Sequence, residues 1–230
     1  MHPTSHNIHS IGWVESVFKE KFGAPRQSGV VPSATGTLHF HTPYDNPDCF
    51  DELEGFSHLW LITNFHLTPE NETFRPKVRP PKLGGKKKVG IFATRSPFRP
   101  NKLALSVVKI EAIINTKQSI SIKVSGLDLV DGTPLIDVKP YLPYSDALPE
   151  AQTNFGLPPS NSIEVVSTPP TLLHDLTLAE RALIQETLQA KPAPAHAHAS
   201  QSFGVTLGQL NISWFHQGEK IIITEIERKC

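Results

Sequence analysis

Methionine occurs once, at Met1, and cysteine only at Cys49 and Cys230. Two such cysteines cannot build a disulfide framework or a cysteine metal site, so a reducing cytoplasm is the expected compartment. No apolar run approaches the ~20 residues a membrane-spanning helix needs. Met1-His2-Pro3-Thr4-Ser5-His6 lacks the basic start and apolar stretch of a signal peptide, so a soluble intracellular protein is expected, with no membrane partner. A glycine-rich phosphate-cradling loop is missing as well. Net charge is also absent, because 22 Lys and Arg balance 22 Asp and Glu. That balance is uneven along the chain. Residues 73–110 contain no acid and eleven cations (Arg75, Lys77, Arg79, Lys82, Lys86, Lys87, Lys88, Arg95, Arg99, Lys102, Lys109), leaving 11 cations against 22 acids elsewhere. Such a segment suits a polyanion, since each neutralised phosphate releases counterions. A solvated basic loop without a ligand gives the same pattern.

The 21 prolines imply many fixed loops. Residues 8–18 are expected to begin the fold as a strand, followed by a glycine- and proline-bounded loop at 22–29. Thr37-Leu38-His39-Phe40-His41 alternates like a half-buried strand, whereas the continuous apolar character of 56–65 predicts a strand buried on both faces. Further strands are expected at 86–94, 103–114 and 119–129, the last two joined by a turn at 115–118. Six or more strands without interleaved helices predict a mainly β protein whose N-terminal part, 1–145, is a closed or nearly closed β-barrel. Prolines at 149, 158, 159, 169 and 170 mark a boundary, and 146–230 is expected to be a small α+β domain. Within it, Thr177-Leu178-Ala179-Glu180 has capping-box spacing and predicts a helix to about Leu188, with Leu176, Leu183, Ile184 and Leu188 on its apolar side. Lys191 to Ser200 reads as a linker, and 209–215 with 220–226 as a hairpin.

Two stretches invite chemistry. In Val89-Gly90-Ile91-Phe92-Ala93-Thr94-Arg95-Ser96-Pro97-Phe98-Arg99-Pro100-Asn101, a strand-like run breaks into a proline-fixed loop between two arginines, a good holder for an anion or nucleotide. In Gly126 to Tyr141, a strand ends at the Asp131-Gly132 turn, which is either a plain hairpin or a strand end offering backbone and carboxylates to a ribose or amino group. Asp128, Asp131 and Asp137 also raise a magnesium site, but no phosphate loop accompanies them. His39, His41, His58 and His66 match no zinc spacing, so no metal is expected.

Pro25-Arg26-Gln27, Gly55-Phe56-Ser57-His58-Leu59-Trp60, the Gly90 to Asn101 stretch and Asp128-Leu129-Val130-Asp131-Gly132-Thr133-Pro134 stand in this order over about 110 residues. Together they resemble the TsaA/TrmO family of tRNA methyltransferases. The resemblance implies a β-barrel unlike Rossmann-type methyltransferases, a homodimer, and methylation by S-adenosylmethionine of N6 of N6-threonylcarbamoyladenosine, 3′ of certain tRNA anticodons. Carried over by motif, Pro25, Arg26, Gln27, His66, Leu67, Arg95, Leu105, Asp128, Leu129, Val130 and Asp131 are cofactor candidates. Arginine can clamp the cofactor's carboxylate, and aspartate can accept from its ribose or ammonium. Lys86, Lys87, Lys88 and Arg99 would hold tRNA phosphates. No catalytic base is assigned; Asp137 and Tyr141 are candidates by position alone. The chain departs from the family at Lys102-Leu103-Ala104, where Pro-Ile-Gly is frequent. It departs again at Lys191-Pro192-Ala193-Pro194-Ala195-His196, where many bacterial members carry Asp-Pro-Arg-Pro-Ala-Tyr. A barrel that binds tRNA without turnover is the alternative.

Overall fold

The computed structural model describes residues 6–69, 73–80, 87–116, 119–154, 166–190, 201–218 and 220–229. Period-two stretches become strands wherever one face can be buried. The first are β1 (Gly12–Ser16), β2 (Thr35–Phe40) and β3 (His58–Asn64). A long connection carries the short pair β4 (Lys77–Val78) and β5 (Val89–Gly90). Then come β6 (Leu103–Asn115), β7 (Ile120–Ser125) and β8 (Thr133–Pro140).

Six of these close into a barrel in the order β1-β2-β7-β6-β3-β8, with every neighbouring pair antiparallel. Val14, Leu38, Leu59, Leu61, Val108, Ile122, Val124 and Leu135 fill it and are almost fully buried. Each such side chain contributes ~1.5–3 kcal/mol on leaving water. β7 and β8 stand on opposite sides of the ring, so residues 126–132 must cross one end of the barrel. Leu127 and Leu129 are buried under that crossing, and Gly126 (φ 77°) and Gly132 (φ 74°) make its left-handed bends.

Four expectations need correction. The 8–18 strand is confined to Gly12–Ser16, and the 119–129 strand stops at Ser125, because the chain leaves the ladder at Gly126 (φ 77°) to cross the barrel end. The 56–65 strand is not buried on both faces. In β3, Leu59, Leu61 and Thr63 point inward, while His58, Trp60, Ile62 and Asn64 are half-buried on the outside, because a barrel wall is a single layer. Trp60 finds partial cover from Tyr141, 5.8 Å between ring centres, and donates from Nε1 to Asp146 Oδ2 at 2.8 Å. The 86–94 strand shrinks to Val89–Gly90, followed by a 3₁₀ turn at Ile91–Ala93. Ile91 is buried, and its carbonyl accepts from Thr94 N at 3.1 Å and Thr94 Oγ1 at 2.8 Å, which bends the chain away from a ladder.

After β8 the chain forms the one-turn helices α1 (Pro143–Asp146) and α2 (Pro170–Leu173), the two-residue strand β9 (Val166–Ser167) and the longer helix α3 (Leu178–Gln189). The expected capping box is present: Thr177 Oγ1 accepts from Glu180 N at 3.2 Å, and Glu180 Oε2 accepts from Thr177 N at 2.8 Å. Leu176, Leu183, Ile184 and Leu188 are all buried. β11 (Leu210–Gln217) and β12 (Lys220–Arg228) form the expected hairpin. β10 (Ser202–Leu207) joins one edge antiparallel, and β9 joins the other parallel.

This sheet is seated on the barrel. Phe18 bridges Leu207, and Gly208 N donates to Val17 O at 2.6 Å. Phe22 stacks on Trp214 with 5.9 Å between ring centres. Ser33 donates to Glu186 Oε2 from N at 2.9 Å and from Oγ at 2.6 Å. The buried side chains of both parts form one continuous core. Among the described residues no helix is long and apolar enough to cross a membrane.

Candidate functional site

Strand direction decides which loops meet. β1, β3 and β7 all run toward the end that 126–132 crosses, so the connections 17–34, 65–102 and 126–132 gather there. The opposite end receives 41–57, the 116–119 turn and the exit at Tyr141. Blocks distant in sequence are thereby brought to one place.

The meeting point exists because β6 outruns β7. Ser125, the last residue of β7, pairs with Lys109, leaving 103–108 as an overhang. The 25–29 segment lies against it: Val107 N donates to Ser28 Oγ at 3.1 Å, and Gly29 N donates to Gly126 O at 2.9 Å. Ser106 Oγ donates to Asp128 Oδ1 at 2.7 Å, and Arg95 Nη1 donates to Gln27 Oε1. Burial pushes the Asp128 carboxyl above its ordinary 3.8. The Ser106 hydroxyl, the Ser28 backbone N–H and the Arg95 charge pull the other way without cancelling the rise. Gln27, Ser28, Arg95, Ser106 and Asp128 therefore form one connected polar patch.

The remaining cofactor candidates surround it unevenly. Pro25 is buried and Arg26 exposed. Both line a cleft of about 220 Å³ with Lys21, Phe22, Gly23, Ala24 and Ala190. His66 and Leu67 are exposed at the start of the long connection, where Lys21 Nζ donates to Leu67 O at 2.5 Å and ties it to the 17–34 loop. Leu105, 56% exposed, faces outward on β6 opposite Ile62. Leu129 is buried, and Val130 O accepts from Thr133 Oγ1 at 2.5 Å. The Asp131 carboxylate is committed to the scaffold. Its Oδ1 accepts from Ser16 N at 2.8 Å, and its Oδ2 pairs with Lys19 Nζ at 3.0 Å. The Asp131-Gly132 turn is also no plain hairpin, since β7 and β8 do not pair.

Asp137 and Tyr141 are not brought into the patch. Asp137 lies on the outer wall, across β3 from Leu105, and Tyr141 sits at the far barrel end, its N donating to His58 O at 3.0 Å. Lys87 and Lys88 are exposed immediately before β5. Lys86 and the 191–196 segment lie outside the described residues. Arg99 is half-buried, with Nη1 donating to Thr94 O at 2.6 Å, so part of its guanidinium braces its own loop. Among the described residues no three His, Cys, Asp or Glu side chains are grouped as a metal site; His39 instead contacts Glu15 Oε2 at 2.8 Å and stacks on Trp13.

Sequence reasoning did not single out Ser28, Ser106, Lys19 or Lys21. Ser106 carried a signal, because it is a hydroxyl at the inward parity of a strand, between Ala104 and Val108. Ser28 directly follows Pro25-Arg26-Gln27, but its bond to β6 depends on the overhang.

The patch offers a half-buried carboxylate and an exposed arginine, with Leu105 exposed on the outer face of the same β6 overhang, a set suited to a ligand with both charges and a nucleoside. Comparison with known proteins agrees. Residues 13–147 match the tRNA-methyltransferase O N-terminal domain, and residues 166–229 match the TrmO C-terminal domain. The chain is 41% identical over 220 residues to the tRNA (adenine(37)-N6)-methyltransferase of Escherichia coli, covering 92% of this chain and 93% of that one. It is 36% identical to a Pseudomonas aeruginosa protein provisionally named S-adenosylmethionine-dependent methyltransferase RcsF, covering 95% and 96% respectively. A crystal structure of TrmO from Pseudomonas aeruginosa superposes with a TM-score of 0.79 at 30% identity, covering 97% of this chain and 100% of that one. Matched in both of its parts and along nearly its whole length, the chain belongs to the tRNA-methyltransferase O family.

Proposed function

We propose that this chain methylates N6 of adenine 37 in tRNA with S-adenosylmethionine, and that the acceptor is the threonylcarbamoylated adenosine. The observation that carries this is the assembly of Gln27, Ser28, Arg95, Ser106 and Asp128, drawn from three loops and one strand overhang, at a single barrel end. The bound cofactor supplies an electrophilic methyl group. Asp128, fixed by Ser106, accepts from its ammonium or ribose, while Arg95 and Arg26 meet its carboxylate and Leu105 offers an apolar contact. His66, Leu67 and the backbone of Leu129 to Asp131 complete the surroundings. Methyl transfer needs nucleophile, carbon and leaving sulfur held in line, so positioning is the main task of these residues. The acceptor nitrogen lies between an adenine ring and a carbamoyl carbonyl, and its proton is correspondingly acidic. Lys87, Lys88 and the free part of Arg99 hold phosphates.

The protein acts as a homodimer in the cytoplasm, its 1–145 barrel carrying the cofactor and 146–230 supporting it. The outer wall of β6 favours a dimer: Leu105 is 56% exposed, with Leu103 and Val107 half-buried on the same side. The exposed free Cys49 fits a reducing compartment.

The test is nucleoside mass spectrometry of threonine tRNA carrying threonylcarbamoyladenosine, incubated with purified protein and S-adenosylmethionine beside an unmodified transcript. A methyl gain confined to the modified tRNA is expected. Equal gain on the transcript would remove the threonylcarbamoyl requirement, and retained binding without gain would leave only a tRNA-binding barrel.

A further inference from the structure

Resting on the tRNA reading above, we propose that Phe92 and Phe98, supported by Phe74, are stacking platforms for unpaired bases of the anticodon loop. Phenylalanine is normally an interior residue. Among the described residues the exposed phenylalanines are these three, at 76%, 44% and 60%, and all lie on the 65–102 connection. Every charged residue between 73 and 110 is a cation. Apolar rings set among cations of one sign suit a single strand of nucleic acid, in which each base brings a phosphate with it.

The rings are presented from a braced platform. Phe92 is the middle residue of the 3₁₀ turn anchored by buried Ile91. Ile91 N donates to Pro76 O at 2.9 Å, continuing the β4–β5 pairing and bringing the Phe74-Arg75 arm beside the turn. Arg99 Nη1 holds Thr94 O at 2.6 Å, and Phe98 N donates to Ser96 Oγ at 3.3 Å. This bracing reduces the ordering cost of binding.

The chemistry creates a need for such rings. A base that undergoes reaction leaves its stack, and the neighbours it exposes gain from a replacement π-face. Phenylalanine has no hydrogen-bonding group, so it serves unpaired bases without reading their edges. Lys87 and Lys88 flank the same hairpin and take the phosphates.

The experiment measures binding of a threonine-tRNA anticodon stem-loop over a salt series, for wild type, F92A, F98A, F92W and the Lys87→Ala, Lys88→Ala pair, with sedimentation velocity on each. F92A and F98A are expected to weaken binding about tenfold each with an unchanged salt slope. The lysine pair is expected to lower that slope by about one to two. F92W should bind like wild type, with its indole fluorescence quenched by the RNA. Binding by F92A and F98A within twofold of wild type would overturn the proposal. So would a change in their sedimenting mass, which would place the rings in an interface between copies of the chain. Methylation by wild type is scored separately, so RNA stacking without methyl transfer would defeat the activity reading and leave the platforms standing.

Discussion

Asp128 shows how a residue costly to the fold can stand at the centre of the proposed site. Its folded-state pKa is raised, chiefly by burial, so the folded protein binds its proton more tightly than the unfolded chain does. Stability therefore falls as pH rises from the ordinary 3.8 through the raised value, and this contribution stays lost at neutral pH. Asp128→Asn can still accept from Ser106 yet carries no charge. Urea titrations across pH should show a stability at neutral pH equal to or above wild type and a flattened acid-side slope, while calorimetry shows cofactor affinity reduced about tenfold, the loss typical of a hydrogen bond to a charged group. Arg95 and the paired lysines divide the binding work differently. Arg95→Ala should weaken S-adenosylmethionine more than tRNA, and the Lys87→Ala, Lys88→Ala double variant should do the reverse; equal losses in both assays would defeat that division. Asp131 was a cofactor candidate by motif, and its carboxylate is bonded to Ser16 N at the end of β1 and to Lys19 just beyond it. A motif records that a residue is needed without separating scaffold from ligand contact.

Among the elements, α3 was the most legible, because its signals are local. Thr177 and Glu180 are three residues apart, and the apolar spacing is that of one helix face. Thr177→Ala should cost ~0.5–2 kcal/mol in chemical denaturation by stranding backbone donors at the helix start. Glu180 is held below its ordinary 4.5, first by the Thr177 backbone N–H; burial opposes this as the next largest effect, and the Thr177 hydroxyl and Arg228 outweigh it by lowering the carboxyl further. Its contribution is thus present above about 4.5 and lost as pH falls through the depressed value. Strands were read well where alternation is long, as in β6; the expected 119–129 strand overran β7, because buried Leu127 and Leu129 continue the alternation into the crossing. β9 has only two residues, and β10 begins at an exposed Ser202 beyond the Pro- and Ala-rich stretch. Neither carries enough local pattern to announce itself. β3 misled because its outer barrel face, half-buried and partly covered by Tyr141 over Trp60, carries apolar side chains as a buried layer does.

At the scale of the whole molecule, the C-terminal sheet and the barrel are joined through the 17–34 loop, which also feeds the site. Gly23 adopts φ 93°, and a Cβ there would stand 2.2 Å from Val205 Cγ2. Gly23→Ala should therefore destabilise the protein by roughly 2–4 kcal/mol, adding left-handed strain to overpacking. Because Pro25, Arg26 and Gln27 follow immediately, cofactor affinity should fall with it; calorimetry beside a thermal melt checks both, and a melt unchanged within error would remove the coupling. The sequence by itself determined a mainly β chain with a capped C-terminal helix, a basic segment without acids, and the blocks that carry the family resemblance, since each depends on periodicity, spacing or charge among near neighbours. Only the tertiary structure decided the ring order, the crossing of 126–132 over the barrel mouth and the β6 overhang. These place Ser106 and Ser28 against Asp128 and leave Asp137 and Tyr141 elsewhere. Strand pairing joins residues far apart in the chain, and its free energy depends on every other pairing being made at once, so no local pattern carries it.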